Sequence, residues 1–175
     1  MEEFLSTAME THGDTVYRLA LCRLQNVSDV EDVYQEVFLR LFKEEDAANW
    51  NENHLKAWLI RVTLNRCADV GRFRIKRRTV PLSEVIEDIQ PDMDEAAELW
   101  DAVARLPTKL RTPIHLHYVE GYSAEEIGRI LDIPPVTVRT RLYRARLKLK
   151  DMLGGYYDEI LSADDESNSC ARGFE

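Results

Sequence analysis

The sequence predicts an all-α protein built as two small helical units joined by an acidic linker. Three observations carry this. Apolar residues recur at helical spacing along most of the chain and nowhere alternate convincingly at period two. Two Ser-x-x-Glu capping boxes, Ser28 to Glu31 and Ser123 to Glu126, each open an apolar stripe. Between 79 and 94 the pattern stops, and Pro81, Pro91 and acidic residues with no basic residue among them take its place.

A first helix is expected over about 3–24, with Val16, Leu19 and Ala20 on one face. Behind the Ser28 box, Val30, Val33, Tyr34, Val37, Phe38 and Leu41 form a full amphipathic stripe and predict a helix over about 29–43. Residues 44–53 are polar and aperiodic, hence a loop, and Asn53 is a candidate cap for a helix over about 54–74 that buries Leu55, Trp58, Leu59 and Val62. Gly71 is expected to interrupt that helix just before its most basic part. This makes 1–78 the first unit and 79–94 the linker.

The second unit, 95–153, opens with a helix over about 95–105 that presents Ala96, Leu99, Trp100 and Val103 inward. A helix over 108–119 comes next, and Pro113 inside it removes a backbone donor and predicts a kink or a later start. Gly121 suits a left-handed helix end. The Ser123 box then opens a short helix with Ile127, Ile130 and Leu131 inward. Gly128 in mid-helix makes sense if a second helix crosses closely there. After the turn Asp132-Ile133-Pro134, Pro135 has the fixed φ suited to a first helical position, and Val138, Leu142, Ala145 and Leu149 form one stripe. Thr137, Arg139, Thr140, Arg141, Arg144, Arg146 and Lys148 are left toward solvent. A short support helix, a tight turn and a basic helix are the parts of a DNA-reading helix-turn-helix, whose Arg forks suit guanine edges or phosphates. The segment 154–175, after Gly154-Gly155, is acidic and expected to be a mobile tail.

With 23 Lys+Arg against 32 Asp+Glu, the net charge of −9 argues at face value against a nucleic-acid binder. The order of the charges says otherwise. Residues 56–80 carry 8 basic and 1 acidic side chains, and residues 127–150 carry 7 and 1, while the segments around them are acidic or balanced. Fields are local, because salt screens over about 8–10 Å, so two basic helical faces remain available to DNA. The plainer reading, in which basic and acidic helices pair with each other, stands beside it. Across the core stripe of the 29–43 helix, Asp32, Gln35, Glu36 and Leu39 form a second face of acids around an apolar residue, which suits a docking partner.

The residues from Ser28 to Phe42 resemble region 2.2 of bacterial extracytoplasmic-function (ECF) sigma factors. The segment Trp58-Leu-Ile-Arg-Val-Thr-Leu-Asn65, with Asp69 and the basic run Arg72 to Arg78, resembles their regions 2.3–2.4. Leu106-Pro107 and the stretch Tyr118 to Leu149 resemble region 4. The match covers about 10–78 and 95–153 in the family's order.

The resemblance implies an initiation factor that binds core RNA polymerase, through the β′ clamp helices and the β flap, and directs it to promoter DNA. The Asp32, Gln35, Glu36 and Leu39 face would dock on the clamp helices. The loop carrying Asn49 and Trp50, with Arg61, Asn65, Arg72, Arg74 and Lys76, would read and hold open the minus-ten element. Pro135, Thr137, Arg139, Thr140, Arg141 and Arg144 would read the minus-thirty-five element. An anti-sigma factor is an implied partner. In two places, Asp132 and Val136, the family usually has Gly.

Other signals carry less. Cys22, Cys67 and Cys170 show no CxxC spacing, and Cys170 alone is a minor candidate redox sensor. His115 and His117 are two apart on a helix and make a poor metal pair. No P-loop, dinucleotide turn or nucleophile elbow is present, so no enzyme, cofactor or metal is expected. The acidic start Met1-Glu2-Glu3-Phe4 lacks a signal-peptide pattern, and a cytoplasmic protein is expected. Two competing readings remain: a stand-alone helix-turn-helix regulator, and a helical metal-dependent hydrolase using Glu31, Asp32 and Glu36.

Overall fold

The computed structural model of the chain describes residues 2–76 and 94–154. Helices α1 (Glu2–Leu24), α2 (Val27–Lys43) and α3 (Glu52–Lys76) form a first unit, with a 3-10 turn at Ala47–Asn49 before α3. Helices α4 (Asp94–Arg105), α5 (Thr108–Ile114), α6 (Ala124–Leu131) and α7 (Pro135–Leu153) form a second. The described residues contain no strand, and no helix among them is long and apolar enough to cross a membrane. The expected linker, apart from Asp94, and the tail beyond Gly154 lie outside the described residues, as does Cys170.

Two caps each sit two residues earlier than the sequence suggests. Asn26 caps α2, its side chain accepting from the Asp29 N–H at 3.0 Å. Ser28 and Glu31 therefore fall inside the helix, and the first expected capping box does not form. Asparagine is as good a cap as serine, and Gln25 at φ +55 turns the chain so that Asn26 takes the position. Likewise Asn51, not Asn53, caps α3, accepting from the His54 N–H at 2.9 Å. α3 then runs unbroken through Gly71 to Lys76, so the expected interruption is absent. The second box does form: Ser123 Oγ accepts from the Glu126 N–H at 3.3 Å, and the Glu126 carboxylate accepts from the Ser123 N–H at 2.9 Å.

α5 starts at Thr108 and runs through Pro113 to Ile114, so the later start expected there is absent. Directly after α5 the helix widens into a π-helical turn, His115–Val119, closed by the Glu120 N–H on the His115 carbonyl at 3.3 Å. The buried Arg111 guanidinium ties off the end of α4, donating to the carbonyls of Leu106, at 3.2 Å, and Ala104. That satisfies carbonyls a helix terminus would otherwise strand. Trp100, expected inward, is 45% exposed, whereas Val103 is buried as expected, with Ala102 beside it.

One apolar cluster joins α1, α2 and α3 through Val16, Val30, Val37, Leu41, Leu55 and Leu59. The other belongs mainly to α4–α7, yet it includes Leu19 of α1 and Ile60 and Leu64 of α3. α3 thus buries two faces, one in its own unit and one against the second. A fully buried Leu or Ile contributes about 1.5–3 kcal/mol, so this junction is a substantial apolar contact.

Within the helix-turn-helix, the close approach expected at Gly128 is made by the turn. A Cβ there would lie 2.8 Å from the Ile133 carbonyl oxygen and 3.4 Å from Pro135. At Gly71 a Cβ would meet nothing within 4 Å. Gly128→Ala is therefore expected to lower stability by about 1–3 kcal/mol through overpacking against backbone. Gly71→Ala should raise it by up to about 1 kcal/mol through helix propensity. Urea unfolding of the two variants checks the opposite signs.

Candidate nucleic-acid interface

On α7 the candidate reading residues differ in exposure. Arg139, Thr140 and Arg144 are exposed, whereas Pro135, Thr137, Arg141 and Arg146 are half-buried. Arg139 is ion-paired with Glu125 of α6, which holds its guanidinium over the support helix. The Thr140 hydroxyl donates to the Val136 carbonyl at 2.9 Å, leaving its methyl and lone pairs to face outward. Apolar side chains share this exposed surface with the charged ones. Val136, Tyr143 and Leu147 are 64%, 53% and 49% exposed and, with Thr140, fall at i, +4, +7 and +11. The signal was available: a second apolar stripe lies across the helix from Val138, Leu142, Ala145 and Leu149. An apolar group at the start of a recognition helix has a partner in the major groove, the thymine C5-methyl.

The second surface lies on α3. Arg61, Asn65 and Arg72 are exposed and share one face at i, +4 and +11. Arg61 donates to the Arg129 carbonyl at 3.3 Å, and Arg72 pairs with Asp69 at 3.3 Å. The side chains of Arg74 and Lys76 lie outside the described residues. Asn49 is exposed in the 3-10 turn, while Trp50 packs inward against Trp58, ring centroids 5.6 Å apart. Phe73, 68% exposed within the basic end of α3, is an aromatic that the sequence pattern did not single out, and an exposed ring there suits stacking on an unpaired base.

On α2, Asp32, Gln35 and Leu39 are exposed together, with Leu39 at 59% and Glu36 half-buried beside them. Glu36 pairs with Arg40 at 3.2 Å and with Arg66 of α3. A carboxylate committed to two guanidiniums is a poor metal ligand, which weakens the hydrolase reading. A shallow apolar groove lined by Leu5, Met9, Tyr34, Phe38, Leu39 and Phe42 continues this face toward α1.

The two surfaces are held together by a polar node around Glu120, whose side chain is 6% exposed. One carboxylate oxygen takes Lys56 Nζ at 3.0 Å and the Thr15 hydroxyl at 3.2 Å. The other lies 3.8 Å from His115 Nε2, beyond hydrogen-bond distance. Burial pushes the His115 pKa down to about 4, the Glu120 charge opposing and Arg18 adding slightly.

This order of parts has a counterpart among known proteins. Residues 8–79 match Sigma-70 region 2 and residues 96–149 match Sigma-70, region 4. The chain belongs to the ECF sigma factors. It is 35% identical over 158 residues to the ECF RNA polymerase sigma factor SigE of Mycolicibacterium smegmatis, covering 85% of this chain and 61% of that protein. To the ECF RNA polymerase sigma factor SigW of Bacillus subtilis it is 29% identical over 171 residues, 87% of this chain and 90% of that one. Its fold resembles the sigma factor RpoE crystallised with the anti-sigma factor NepR from Bartonella quintana (TM-score 0.74, 20% identity, 89% of this chain and 99% of that one).

In this ECF sigma factor His115 is neutral in the fold, whereas the unfolded chain takes up its proton below about pH 6.5. Stability is thus highest above pH 6.5 and falls as pH drops toward 4, by up to about 3 kcal/mol from this residue. Thermal melts between pH 7 and 5 should show this loss in the natural chain and a shallower one in His115→Gln.

Proposed function

We propose that this ECF sigma factor binds core RNA polymerase through α2 and directs it to promoters by reading the minus-ten element with α3 and the minus-thirty-five element with α7. It acts as a non-enzymatic transcription initiation factor in the cytoplasm. The observation that carries this is the presence, in one chain, of two separate basic helical surfaces and a third, acidic-apolar face. A stand-alone regulator has no use for the α2 face or for a second basic helix upstream. The linker joins the units between residues 78 and 95, and an anti-sigma factor is the expected negative partner. Reconstitution with core polymerase and a promoter library tests the whole reading: promoter-selective transcription is the expected result, and its absence together with absent core binding refutes it.

Each face has its own division of labour. Arg61, Asn65 and Arg72, with Arg74, Lys76 and Asn49, contact the minus-ten strand, and Phe73 supplies a stacking surface. Trp50 braces the loop against Trp58. Arg139, Arg141 and Arg144 grip phosphates or guanine edges, with Pro135 and Thr137 setting the helix entry. Val136 and Thr140 present methyl groups to thymine.

Leu39→Asp places a charge in the apolar part of the docking face and should weaken core binding without loss of helicity, since Leu39 is 59% exposed. Fluorescence titration with core polymerase, beside circular dichroism, checks it; lost helicity would make Leu39 a core residue instead. For the reading helix, Arg144→Ala should cost about 1–3 kcal/mol and relax specificity at one position if the contact is to a base. A phosphate contact would weaken all promoters evenly. Replacing thymine by uracil in the minus-thirty-five element removes only the methyl group. It should reduce promoter use by the natural factor and leave Val136→Ala less sensitive.

A further inference from the structure

The arginines of α7 differ in what they already hold. Arg141 and Arg144 make no hydrogen bond or ion pair among the described residues. Arg139, on the same helix, gives Nη2 to the Glu125 carboxylate of α6, and both partners are exposed. Glu125 does not depend on Arg139 for its place. The capping box of Ser123 and Glu126 starts α6, so Glu125 lies in the first helical turn, where the helix dipole favours a carboxylate. The turn that follows α6 is fixed as well. The N–H groups of Asp132 and Ile133 both donate to the Gly128 carbonyl, Asp132 takes φ +54, and Gly128 leaves no room for a side chain. Two helices of set geometry therefore carry the carboxylate and the guanidinium to each other.

An acid beside a DNA-reading helix acts unequally on the two kinds of contact available there. It lowers the local positive field and repels phosphate, which weakens a backbone grip at that point. It leaves hydrogen bonding largely intact. A guanidinium has five N–H donors, and Glu125 occupies one of them. Guanine asks for two, at O6 and N7, and the remaining donors can supply both. A phosphate at Arg139 has to displace the carboxylate or lie against it, whereas a guanine can be read with the carboxylate in place. Arg139 is thereby biased toward a base edge in a way that unpaired Arg141 and Arg144 are not.

We propose that Glu125 is a specificity-determining positioning residue: it holds Arg139 as the reader of one guanine in the minus-thirty-five element and away from the neighbouring phosphates. Glu125 touches no base itself and acts through Arg139. This role rests on the reading of α7 as the minus-thirty-five helix and adds to it a base and a selecting residue that lies off that helix. A lysine at 139 would not serve, because a point charge has no fork for the carboxylate to orient.

The test uses holoenzyme reconstituted from core polymerase and the full-length chain, on a promoter library randomised through the minus-thirty-five element. The natural chain should prefer guanine at one position, and Arg139→Ala and Arg139→Lys should both lose that preference. Glu125→Ala should reduce the same preference by about 3- to 5-fold, the range an exposed ion pair supports. It should also raise the use of promoters lacking that guanine and steepen the fall of binding with salt, as Arg139 takes up a phosphate. Glu125→Gln keeps an acceptor for the guanidinium and should restore most of the preference. Once Arg139 is alanine, adding Glu125→Ala should change base preference no further. A purely structural role would lower the use of all promoters evenly. That uniform loss, or an unchanged preference in Glu125→Ala, overturns the positioning role while Arg139→Ala still upholds α7 as the reading helix. If the natural holoenzyme shows no preference anywhere in the element, the reading of α7 fails and the role of Glu125 with it.

Discussion

A carboxylate with a side chain only 6% exposed must find donors, and Glu120 finds them on two helices of the other unit. What brings it there is the backbone just before it. Pro113 removes one donor from the α5 ladder, the next turn takes π-helical register, and Glu120 closes that turn. A change from α to π register shifts each later side chain around the helix axis by roughly one residue, about 100°. An uninterrupted α-helix would aim Glu120 elsewhere, so the π-helical turn sets the orientation of the group on which the two units meet. The same turn carries His115 into the interior, where it stays neutral beside that carboxylate.

The local parts of this fold were legible because local rules decide them. The α2 stripe, the Ser123 box, the Pro135 start of α7 and the small residue at Gly128 each depend on neighbours within a few positions. The errors at the N-termini of α2 and α3 are of the same local kind: Asn26 and Asn51 compete with Ser28 and Asn53 for one role, and nothing in composition ranks them. What was not legible depends on the other unit. Ile60 and Leu64 lie off the face expected to be buried on α3, and their burial depends on the cluster they share with Leu116, Ile127 and Leu142 of the second unit. Trp100 failed the opposite way, sitting on the predicted stripe of α4 yet 45% exposed. Val136 and Tyr143 are exposed on α7 without carrying charge, so a pattern of basic residues does not single them out.

Charge pairing between helices and charge left for DNA turn out to coexist. Glu125 holds Arg139, Asp69 holds Arg72, and Glu36 holds Arg66, so three of the basic residues near the candidate surfaces already have acidic partners. Such exposed or half-buried pairs are worth about 0–1 kcal/mol each, little enough for a phosphate to displace. They also keep long guanidinium side chains near a fixed geometry before DNA arrives. The net charge of −9 is the sum of these local balances and of acidic segments elsewhere in the sequence.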